Sequence, residues 1–365
     1  MSKQLSVAID VRLAHHTGIG RYIRGFVGAL NNTPSASLKY HLIGPNAMQG
    51  DFPARFPYRS VRTPVYSLTE QITFPMNTSS FDCLHTPHYN APLLRRKKLV
   101  VTIHDLIHLH FQNHLPSPFA RAYAQWMLPR VVKKADAIIA VSEYTKNDLV
   151  KTLNVDPQKI TVVHHGVDPS FLNLENQARE GGERYFLYVG LLKKHKNLGV
   201  LLDAFSHLKK KSAFGNLKLK LVGTPDLKQV EVREWLQRIK EDPDIFLASH
   251  ISDLELKRHY QNAVALVSPS LCEGFGFPAL EAMAMKTPVI ASHATSIPEI
   301  LGEQGGLYFD PNSSSELERC MEQVATDFTL RKRLIEESST RLPLFDWKIA
   351  GKKTEQVYES VLGTN

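Results

Sequence analysis

The fold is decided by residues 268–299, SPSLCEGFGFPALEAMAMKTPVIASHATSIPE. The apolar run Ala263–Val267 precedes this stretch and predicts a buried strand. Residues 273–278, EGFGFP, predict a turn, and Ala279–Met285 predicts a helix. Pro288–Ser292 then predicts the next strand. A strand, a turn, a helix and a second strand in this order are typical of an α/β protein with a parallel sheet.

The predicted turn combines features that suit two kinds of ligand group. Its glycines let the backbone approach a ligand closely, and the N-terminus of the following helix offers N–H groups to an anion. Glu273 precedes the helix and Glu281 lies within it. Carboxylates repel phosphate but accept hydrogen bonds from sugar hydroxyls. The pair therefore favours a ligand that carries both phosphates and sugars, although either acid alone is more simply a capping or solvated residue.

The segment EGFGFPALEAMA, residues 273–284, resembles the Glu-x7-Glu motif of the retaining glycosyltransferases of family 4, which have the GT-B fold. The resemblance implies that Glu281 binds the ribose of a nucleotide-sugar donor. It also implies that Glu273 and the backbone of the turn hold the donor sugar and its diphosphate. The turn residues concerned are Gly274, Phe275, Gly276 and Phe277.

The length of 365 residues exceeds what one ordinary core requires, so two domains are expected. The resemblance implies two Rossmann-like domains that face each other across a cleft. We predict an acceptor-binding domain at residues 1–172 and a donor-binding domain at 173–345, separated by the polar segment Asn173–Glu183. A final helix opened by residues 345–347 is expected to cross back, so that 346–365 pack on the first domain.

Composition indicates a soluble cytoplasmic protein. The three cysteines, Cys83, Cys272 and Cys320, are odd in number and lack metal-ligand spacing, which fits a reducing compartment. The N-terminus, MSKQLSVAID, predicts a first strand rather than a signal peptide. No apolar stretch approaches the length of a membrane span.

The positive charge is concentrated in the first half of the chain. Residues 1–175 contain 19 Lys and Arg against 11 Asp and Glu, whereas the remainder contains 25 of each kind. A basic half predicts an anionic partner. Nucleic acid is disfavoured because zinc-finger spacing, an aromatic RNA-binding motif and a basic heptad helix are missing from the sequence. We therefore expect a polyprenyl-linked acceptor or the anionic inner face of the plasma membrane.

Two segments are candidates for that membrane contact. Ser117–Lys134, SPFARAYAQWMLPRVVKK, predicts a basic amphipathic helix that can lie on anionic lipid. The run Arg95–Lys98 would assist it. A helix packed on the sheet with a solvated basic edge remains the alternative.

The first loop is glycine-rich and leads into a helix predicted at Arg21–Leu30. A dinucleotide fingerprint would need a third glycine where Ile23 stands, so a dehydrogenase is disfavoured. A tight turn without function is an open alternative. TGIGRY, however, is similar to the first loop of many family 4 enzymes, which implies that Gly18 and Gly20 lie near the donor diphosphate and Arg21 near the acceptor.

The apolar run Leu99–Ile103 predicts a central parallel strand that ends directly before His104 and Asp105. Ligands in open α/β sheets bind beyond the carboxyl ends of strands. The alternative is a capping pair with a half-buried histidine. VTIHDL matches the family pattern at each residue and implies that His104 contacts the donor sugar near the reaction centre. On the acceptor side we place Asp105, with His85 and His88 after an earlier strand.

A cluster of cations follows the predicted strand that ends at Gly190. Cations at such a turn would bind a diphosphate and stabilise its departure in the transition state; a solvated lysine run is the alternative. The family holds the diphosphate with an Arg and a Lys, and the Lys matches Lys196. The Arg position is occupied by Leu191, or by His195 in the other common version of the motif. We therefore include Lys193 and His195 as candidates to replace the family's diphosphate-binding arginine.

The remaining donor residues implied by the resemblance are three. They are Gly190, at the end of the predicted strand at 185–190, Gly223, where the strand at 217–223 meets its loop, and Ile251, beside the nucleobase. No Asp-x-Asp motif is present, so we expect neither a metal nor another cofactor.

The motifs TGIGRY, TIHDL and GFGFP together resemble those of bacterial mannosyltransferases of polysaccharide and O-antigen assembly. The resemblance implies transfer of a hexose, with retention of anomeric configuration, to a hydroxyl of a glycan or lipid-linked glycan. It favours mannose from GDP-mannose, and a UDP-linked sugar is the alternative within the family. A nucleotide-sugar epimerase and a non-catalytic nucleotide-sugar binding protein are the alternatives from other classes.

Overall fold

The computed structural model describes residues 4–67, 69–111, 118–172 and 182–364. The chain forms two compact units: Met1–Gly166 with Leu344–Asn365, and Val167–Pro343. The boundary falls a few residues before the predicted division at 172/173. Most of the predicted linker, Asn173–Glu183, lies outside the described residues.

The first unit is built on a parallel sheet in the order β3-β2-β1-β4-β5-β6-β7. The strands are β1 (Leu5–Asp10), β2 (Leu38–Gly44), β3 (Tyr58–Ser60), β4 (Cys83–Thr86), β5 (Lys98–Ile103), β6 (Ala137–Ala140) and β7 (Ile160–Val162). In register, Val7 of β1 is paired with Tyr40 on one side and Cys83 on the other. The interior of β5 is buried and apolar apart from Thr102, as expected of a parallel strand covered on both faces.

The helices of this unit are α1 (Thr17–Asn32), α2 (Glu70–Thr78), α3 (Ile107–His110), α4 (Pro118–Lys134) and α5 (Glu143–Leu153). α4 follows the predicted basic helix from Pro118 onward, while Ser117 lies outside the described residues. Ser142 caps α5 by accepting the Thr145 N–H at 3.0 Å.

α1 begins four residues earlier than the predicted Arg21, which corrects the expected loop. The Gly20 N–H donates to the His16 carbonyl at 2.8 Å, so the helical hydrogen bonding already includes the glycines. A Cβ on Gly20 would lie 2.3 Å from the carbonyl oxygen of Ala14. Close packing therefore explains this glycine without a ligand.

The second unit contains another parallel sheet, in the order β10-β9-β8-β11-β12-β13. Its strands are β8 (Tyr185–Val189), β9 (Lys218–Val222), β10 (Ile245–Ala248), β11 (Ala265–Ser268), β12 (Val289–Ser292) and β13 (Leu307–Phe309). Its helices are α6 (Leu198–Lys209), α7 (Val230–Glu241), α8 (Asp253–Asn262), α9 (Phe277–Ala284), α10 (Ile297–Leu301), α11 (Ser314–Thr326) and α12 (Phe328–Ser339). α9 starts at Phe277, with Pro278 in its first turn, where the missing N–H costs nothing.

The last helix, α13 (Trp347–Leu362), belongs to the first unit and packs on α1, as predicted. Asp346 caps it by accepting the Lys348 N–H at 2.8 Å. The indole of Trp347 occupies the space that a side chain on Gly25 or Gly166 would need, because a Cβ there would lie 2.2 or 2.3 Å from atoms of Trp347. These two glycines allow the helix to dock.

Each sheet has one point where the strand order reverses. In the first unit this point lies between β1 and β4, and in the second between β8 and β11. Helices on either side of the reversal leave in opposite directions, which opens a crevice at the carboxyl ends of the two strands. The two reversal points are therefore the places where each unit is best suited to hold a ligand.

Candidate functional site

The reversal point of the second unit is bridged by an ion pair. Lys196, in the segment after β8, pairs through Nζ with Oε1 of Glu273, in the segment after β11. The same carboxylate oxygen accepts a hydrogen bond from Ser270 Oγ at 2.8 Å. The side chains of Lys196 and Glu273 are only 19% and 14% exposed, so solvent screens their attraction weakly. The structure thus brings together two residues that the sequence analysis had selected separately.

The turn after Glu273 is held by a serine from α10's N-terminal side. Ser296 Oγ lies 2.9 Å from the carbonyl oxygen of Glu273 and 2.7 Å from that of Phe275. Its single hydroxyl hydrogen can be donated to either oxygen. Gly276 has φ +107°, a left-handed conformation that a side chain would strain. The rings of Phe275 and Phe277 pack edge to face, with centroids 5.6 Å apart. The predicted sugar-phosphate turn is therefore a rigid element.

Glu281 lies on α9 and is buried. Its Oε2 accepts a hydrogen bond from the Tyr260 hydroxyl at 2.8 Å. The Tyr260 carbonyl in turn accepts from Thr287 Oγ1 at 2.7 Å, which ties α8 to the segment after α9. The second acid of the motif is thus oriented by a tyrosine, and its role toward a ribose stays a prediction.

The predicted cation cluster is divided by a single turn of 3-10 helix, Lys194–Lys196. Lys194 pairs with Glu231, with both side chains well exposed, on the surface beside α7. His195 is buried, and its carbonyl accepts the Leu271 N–H at 2.8 Å. That bond joins the loops on the two sides of the reversal point, so the turn directs Lys196, rather than Lys194, to Glu273.

The other residues of the second unit that were predicted for the donor follow the carboxyl ends of β8, β9 and β10. A Cβ on Gly223 would be 1.9 Å from the carbonyl oxygen of Gly190, so this close approach of the β8 and β9 ends requires glycine. Lys193 precedes the 3-10 turn in extended backbone. Ile251 lies beyond the end of β10 at Ala248 and follows His250, where the backbone has φ +57°.

His104 lies at the carboxyl end of β5 in the first unit, as predicted. Its Nε2 is 3.0 Å from the Pro87 carbonyl oxygen and donates to it, which leaves Nδ1 as the acceptor nitrogen. Burial lowers the pKa of His104, so the ring is neutral at pH 7. The Tyr22 ring packs edge-on against it at 5.1 Å. Asp105 accepts the Ile107 N–H at 3.0 Å and so starts α3, a local role alongside the predicted one.

The two histidines predicted for the acceptor differ in their placement. His85 is fully buried, with Nδ1 2.6 Å from the Tyr358 hydroxyl and Nε2 2.8 Å from Thr102 Oγ1. Both ring nitrogens are bonded within the core, so the structure gives His85 a packing role rather than a place in an acceptor site. His88 is also mostly buried, beneath Tyr66, whose hydroxyl lies 3.0 Å from its Nε2.

The residues predicted for the site on the first helix also differ in their surroundings. Gly18 lies in the first turn of α1, and a Cβ there would meet no described heavy atom within 4 Å. Arg21 is half-buried on the same helix. Gly20, by contrast, is required by its contact with Ala14.

Sequence reasoning missed the residues that support these sites, since their contacts join distant segments. They are Asp10, Arg12, Tyr66, Glu70, Asn90, Tyr260, Ser270 and Ser296. One signal was available: Asp10 and Arg12 are charged residues at the end of an apolar strand. Within the described residues, no group of three or more His, Cys, Asp or Glu is arranged to hold a metal ion, and no helix is both long and apolar enough to span a membrane.

Comparison with known protein families shows which family this chain belongs to. The family described as Glycosyltransferase Family 4 matches residues 18–171, and that described as Glycosyl transferases group 1 matches residues 172–341. The two matches adjoin and together follow the two units of the structure. The chain belongs to the family 4 glycosyltransferases. The α/β architecture with its two parallel sheets is the GT-B fold.

Two curated relatives of this glycosyltransferase are bacterial. It is 30% identical over 242 residues to the O-antigen chain mannosyltransferase RfbU of Salmonella typhimurium, covering 66% of this chain and 64% of that protein. The chain thus spans slightly less than two thirds of that relative's length. It is 25% identical over 283 residues to O-antigen chain mannosyltransferase B of Escherichia coli, covering 75% and 73% of the two chains.

A solved structure extends the likeness of fold to nearly the whole glycosyltransferase. Anabaena Alr3699/HepE, crystallised with UDP and glucose, superposes with a TM-score of 0.75 over 98% of this chain and 100% of that one. The sequences are 15% identical, so the likeness concerns the fold.

Proposed function

We propose that this family 4 glycosyltransferase transfers mannose from GDP-mannose to a hydroxyl of a glycan or lipid-linked glycan, with retention of anomeric configuration. The observation that carries the proposal is the Lys196–Glu273 pair at the reversal point of the second unit. A cation and a carboxylate held side by side suit a diphosphate and the sugar attached to it. Glu281, a further acid on the adjoining helix, would accept hydrogen bonds from the ribose.

The chemistry requires the bond between sugar C1 and the diphosphate oxygen to break while the acceptor oxygen bonds to C1. Negative charge develops on the leaving diphosphate. Lys196 and the N–H groups at the start of α9 would stabilise that charge, and stabilisation of this kind is usually the largest catalytic contribution. His104 is neutral, with its Nε2–H held by the Pro87 carbonyl, so it would present an uncharged ring to a sugar bound beside it.

Retention is proposed to proceed without a covalent sugar–protein intermediate. Glu273 Oε1 is already bonded to Lys196 and Ser270, which makes this carboxylate a poor nucleophile. The acceptor hydroxyl would attack on the face that the diphosphate leaves, and a diphosphate oxygen would take its proton. Because Lys196 supplies the positive charge, we propose that transfer needs no metal and that EDTA leaves its rate unchanged.

The choice of donor follows the two O-antigen chain mannosyltransferase relatives. A UDP-linked sugar is the second candidate, since the Anabaena protein of the same fold was crystallised with UDP and glucose. Both donors would engage Lys196 through the diphosphate and Glu281 through the ribose. They differ in the base, near which Ile251 is proposed to lie.

Peripheral binding to an anionic cytoplasmic membrane surface is part of the proposal. The first 175 residues hold the excess positive charge, and α4 exposes Phe119 by 70% and Trp126 by 42%. The Arg130 guanidinium lies over the Trp126 ring, 4.7 Å from its centroid. Exposed aromatic and cationic groups on one helix suit a lipid headgroup region.

We expect the protein to cosediment with phosphatidylglycerol vesicles at low salt. Equal pelleting with neutral phosphatidylcholine vesicles would contradict binding to an anionic surface.

The test is a thermal-shift screen followed by product analysis. GDP-mannose, UDP-glucose, UDP-N-acetylglucosamine and ADP-glucose are compared on wild type and Glu281→Ala, since a ligand of the native state raises the melting temperature. We expect GDP-mannose to raise it most and Glu281→Ala to lose the increase. NMR of the product made from GDP-mannose should show an α-linked mannose. Product formed without any acceptor would instead indicate an epimerase, and failure of all four donors to shift the melting temperature would overturn the proposal.

A further inference from the structure

We infer that the ring of an acceptor sugar packs on the Tyr66 ring. The residues at the reversal point of the first unit hold Tyr66 in position for this contact. The inference rests on the proposed function, because it names the acceptor subsite of the same reaction. The sequence motifs do not include Tyr66, which lies in the irregular segment between β3 and α2.

The backbone of Tyr66 is strained. Its φ of +63° places a bulky aromatic residue in the left-handed region, which favours glycine and asparagine. Such conformations persist only when their surroundings fix them, and they cluster at functional sites. Here the Tyr66 N–H donates to Glu70 Oε2 at 3.0 Å, so the strained residue is held from its own backbone.

Glu70 is in turn held by a buried cation. Arg12 Nη2 donates to Glu70 Oε1 at 2.5 Å, and the same guanidinium binds Asp10 through Nε at 2.9 Å and Nη2 at 2.7 Å. The three charged side chains are at most 9% exposed. Burying charges is expensive, and an apolar cluster of the same volume would often be more stable. The network therefore serves to fix geometry: it ties the end of β1 to the start of α2.

The same carboxylate holds the segment after β4. Asn90 Nδ2 donates to Glu70 Oε2 at 2.5 Å, and the Asn90 N–H donates to His88 Nδ1 at 3.2 Å. With Nδ1 accepting, the His88 proton resides on Nε2, which lies 3.0 Å from the Tyr66 oxygen and donates to it. Tyr66 is thus held at its backbone and at its hydroxyl by residues that converge on Glu70.

The ring itself stays accessible. Tyr66 is 44% exposed, whereas His88 beneath it is 7% exposed. Its ring stands edge-to-face with His88 at 5.4 Å and with Tyr123 at 6.3 Å. The Tyr66 ring is therefore exposed, while its backbone is strained and its hydroxyl is held by His88. It lies at the carboxyl ends of β1 and β4, where open α/β sheets bind their ligands.

A sugar is the ligand that fits this ring best. One face of a pyranose carries C–H groups and is apolar, while its edges carry hydroxyls. A tyrosine offers a flat apolar surface that loses little conformational entropy on binding, beside a polar edge. The neighbouring Tyr123 hydroxyl donates to Asn90 Oδ1 and would accept a hydrogen bond from a hydroxyl at the sugar's edge. His88 acts through Tyr66 and is a positioning residue.

The experiment measures binding of methyl glycosides by saturation-transfer NMR. The probes are methyl α-mannoside, methyl β-glucoside, methyl β-galactoside and methyl N-acetyl-β-glucosaminide. Wild type is compared with Tyr66→Phe, which keeps the aromatic ring, and with Tyr66→Gly, which removes the ring and relieves the backbone strain of the positive φ. The matched control is Asn154→Gly, because Asn154 has φ +51° at the end of α5, at the opposite edge of the sheet.

Wild type, Tyr66→Phe and Asn154→Gly should bind at least one glycoside through its ring C–H protons, and Tyr66→Gly should lose at least about tenfold in affinity, the loss expected for removing one aromatic contact. The melting-temperature shift with GDP-mannose, measured on the same samples, should be equal in all four proteins. Equal glycoside affinity in Tyr66→Gly, or no glycoside binding by wild type, would overturn the inference. So would a Tyr66→Gly protein that loses binding to phosphatidylglycerol vesicles but keeps glycoside binding. Failure of the GDP-mannose shift alone would count against the proposed function instead.

Discussion

The ammonium group of Lys196 and the carboxylate of Glu273 form an ion pair across the carboxyl ends of β8 and β11. The two residues are 77 positions apart in sequence. They meet because the order of the second sheet reverses between these two strands. The pair holds the positive charge of Lys196 in place. Under the proposed function, Lys196 would exchange its carboxylate partner for a phosphate of the donor.

Glu273→Gln is expected to raise the affinity for GDP and to slow sugar transfer. The change removes a negative charge next to the proposed diphosphate position and leaves Lys196 without its competing partner. Release of one partly screened charge pair is worth about 1 kcal/mol, or roughly fivefold in affinity. Isothermal titration with GDP measures the gain, and the rate of transfer from GDP-mannose measures the loss.

Glu231→Gln is the matched control for that change. Glu231 pairs with Lys194 two residues before Lys196, but on the exposed surface. Its GDP affinity should equal that of wild type. A Glu273→Gln protein that binds GDP more weakly than wild type would show that the carboxylate assists the nucleotide rather than competing with it.

Trp347→Ala is expected to destabilise the first unit by about 3–5 kcal/mol, the usual cost of removing a buried large aromatic side chain. The indole fills the space over Gly25 and Gly166 and stacks on His165 at 5.8 Å. Urea denaturation followed by circular dichroism measures the loss. Ile349→Ala, an exposed change in the same helix, serves as the control. Equal stability of the two variants would contradict the docking of α13.

The stability of the first unit should fall as the pH is lowered from about 6.5 toward 3. Burial lowers the pKa of His85 to about 3, whereas the unfolded chain has a pKa near 6.5. Above 6.5 neither state binds the proton and the stabilisation is complete. Between 6.5 and 3 only the unfolded state binds it, so the free energy of unfolding decreases by about 1.4 kcal/mol per pH unit for this one group.

His85→Gln removes this contribution, and its slope of stability against pH should be smaller than that of wild type by that amount. His88, His104 and His165 also have pKa values lowered by burial, so part of the slope remains. Urea unfolding at several pH values between 7.5 and 4.5 measures both slopes. Equal slopes would mean that His85 is protonated in the folded protein.

Much of the fold was predictable because local patterns agree with it. The apolar run at Leu99–Ile103 is a central strand, and the turn before α9 follows from Gly276 and Pro278. The predicted return of the last helix to the first unit is confirmed. The start of α1 was misplaced, because Gly18 and Gly20, which usually favour a loop, lie in the first turns of the helix, where Gly20 packs closely on Ala14.

The site was less predictable, since its supporting contacts are not local. Lys196 and Glu273 could each be selected from a motif, but their pairing depends on the strand order. His85 and His88 look alike in sequence, three residues apart. The first points into the core toward Tyr358, and the second supports Tyr66. Only the position of α13 and of the segment before α2 separates their roles.

Isothermal titration of GDP into wild type, Lys196→Ala and Lys194→Ala measures whether Lys196 holds the diphosphate. If the reversal point of the second unit holds the diphosphate, Lys196→Ala should lose a charge-assisted contact of about 1.5–3 kcal/mol, or roughly 10- to 150-fold in affinity. Lys194→Ala, which removes an equal charge from the same turn, should bind as wild type does. Equal affinities for all three proteins, or an equal loss in both variants, would contradict the assignment of the donor site.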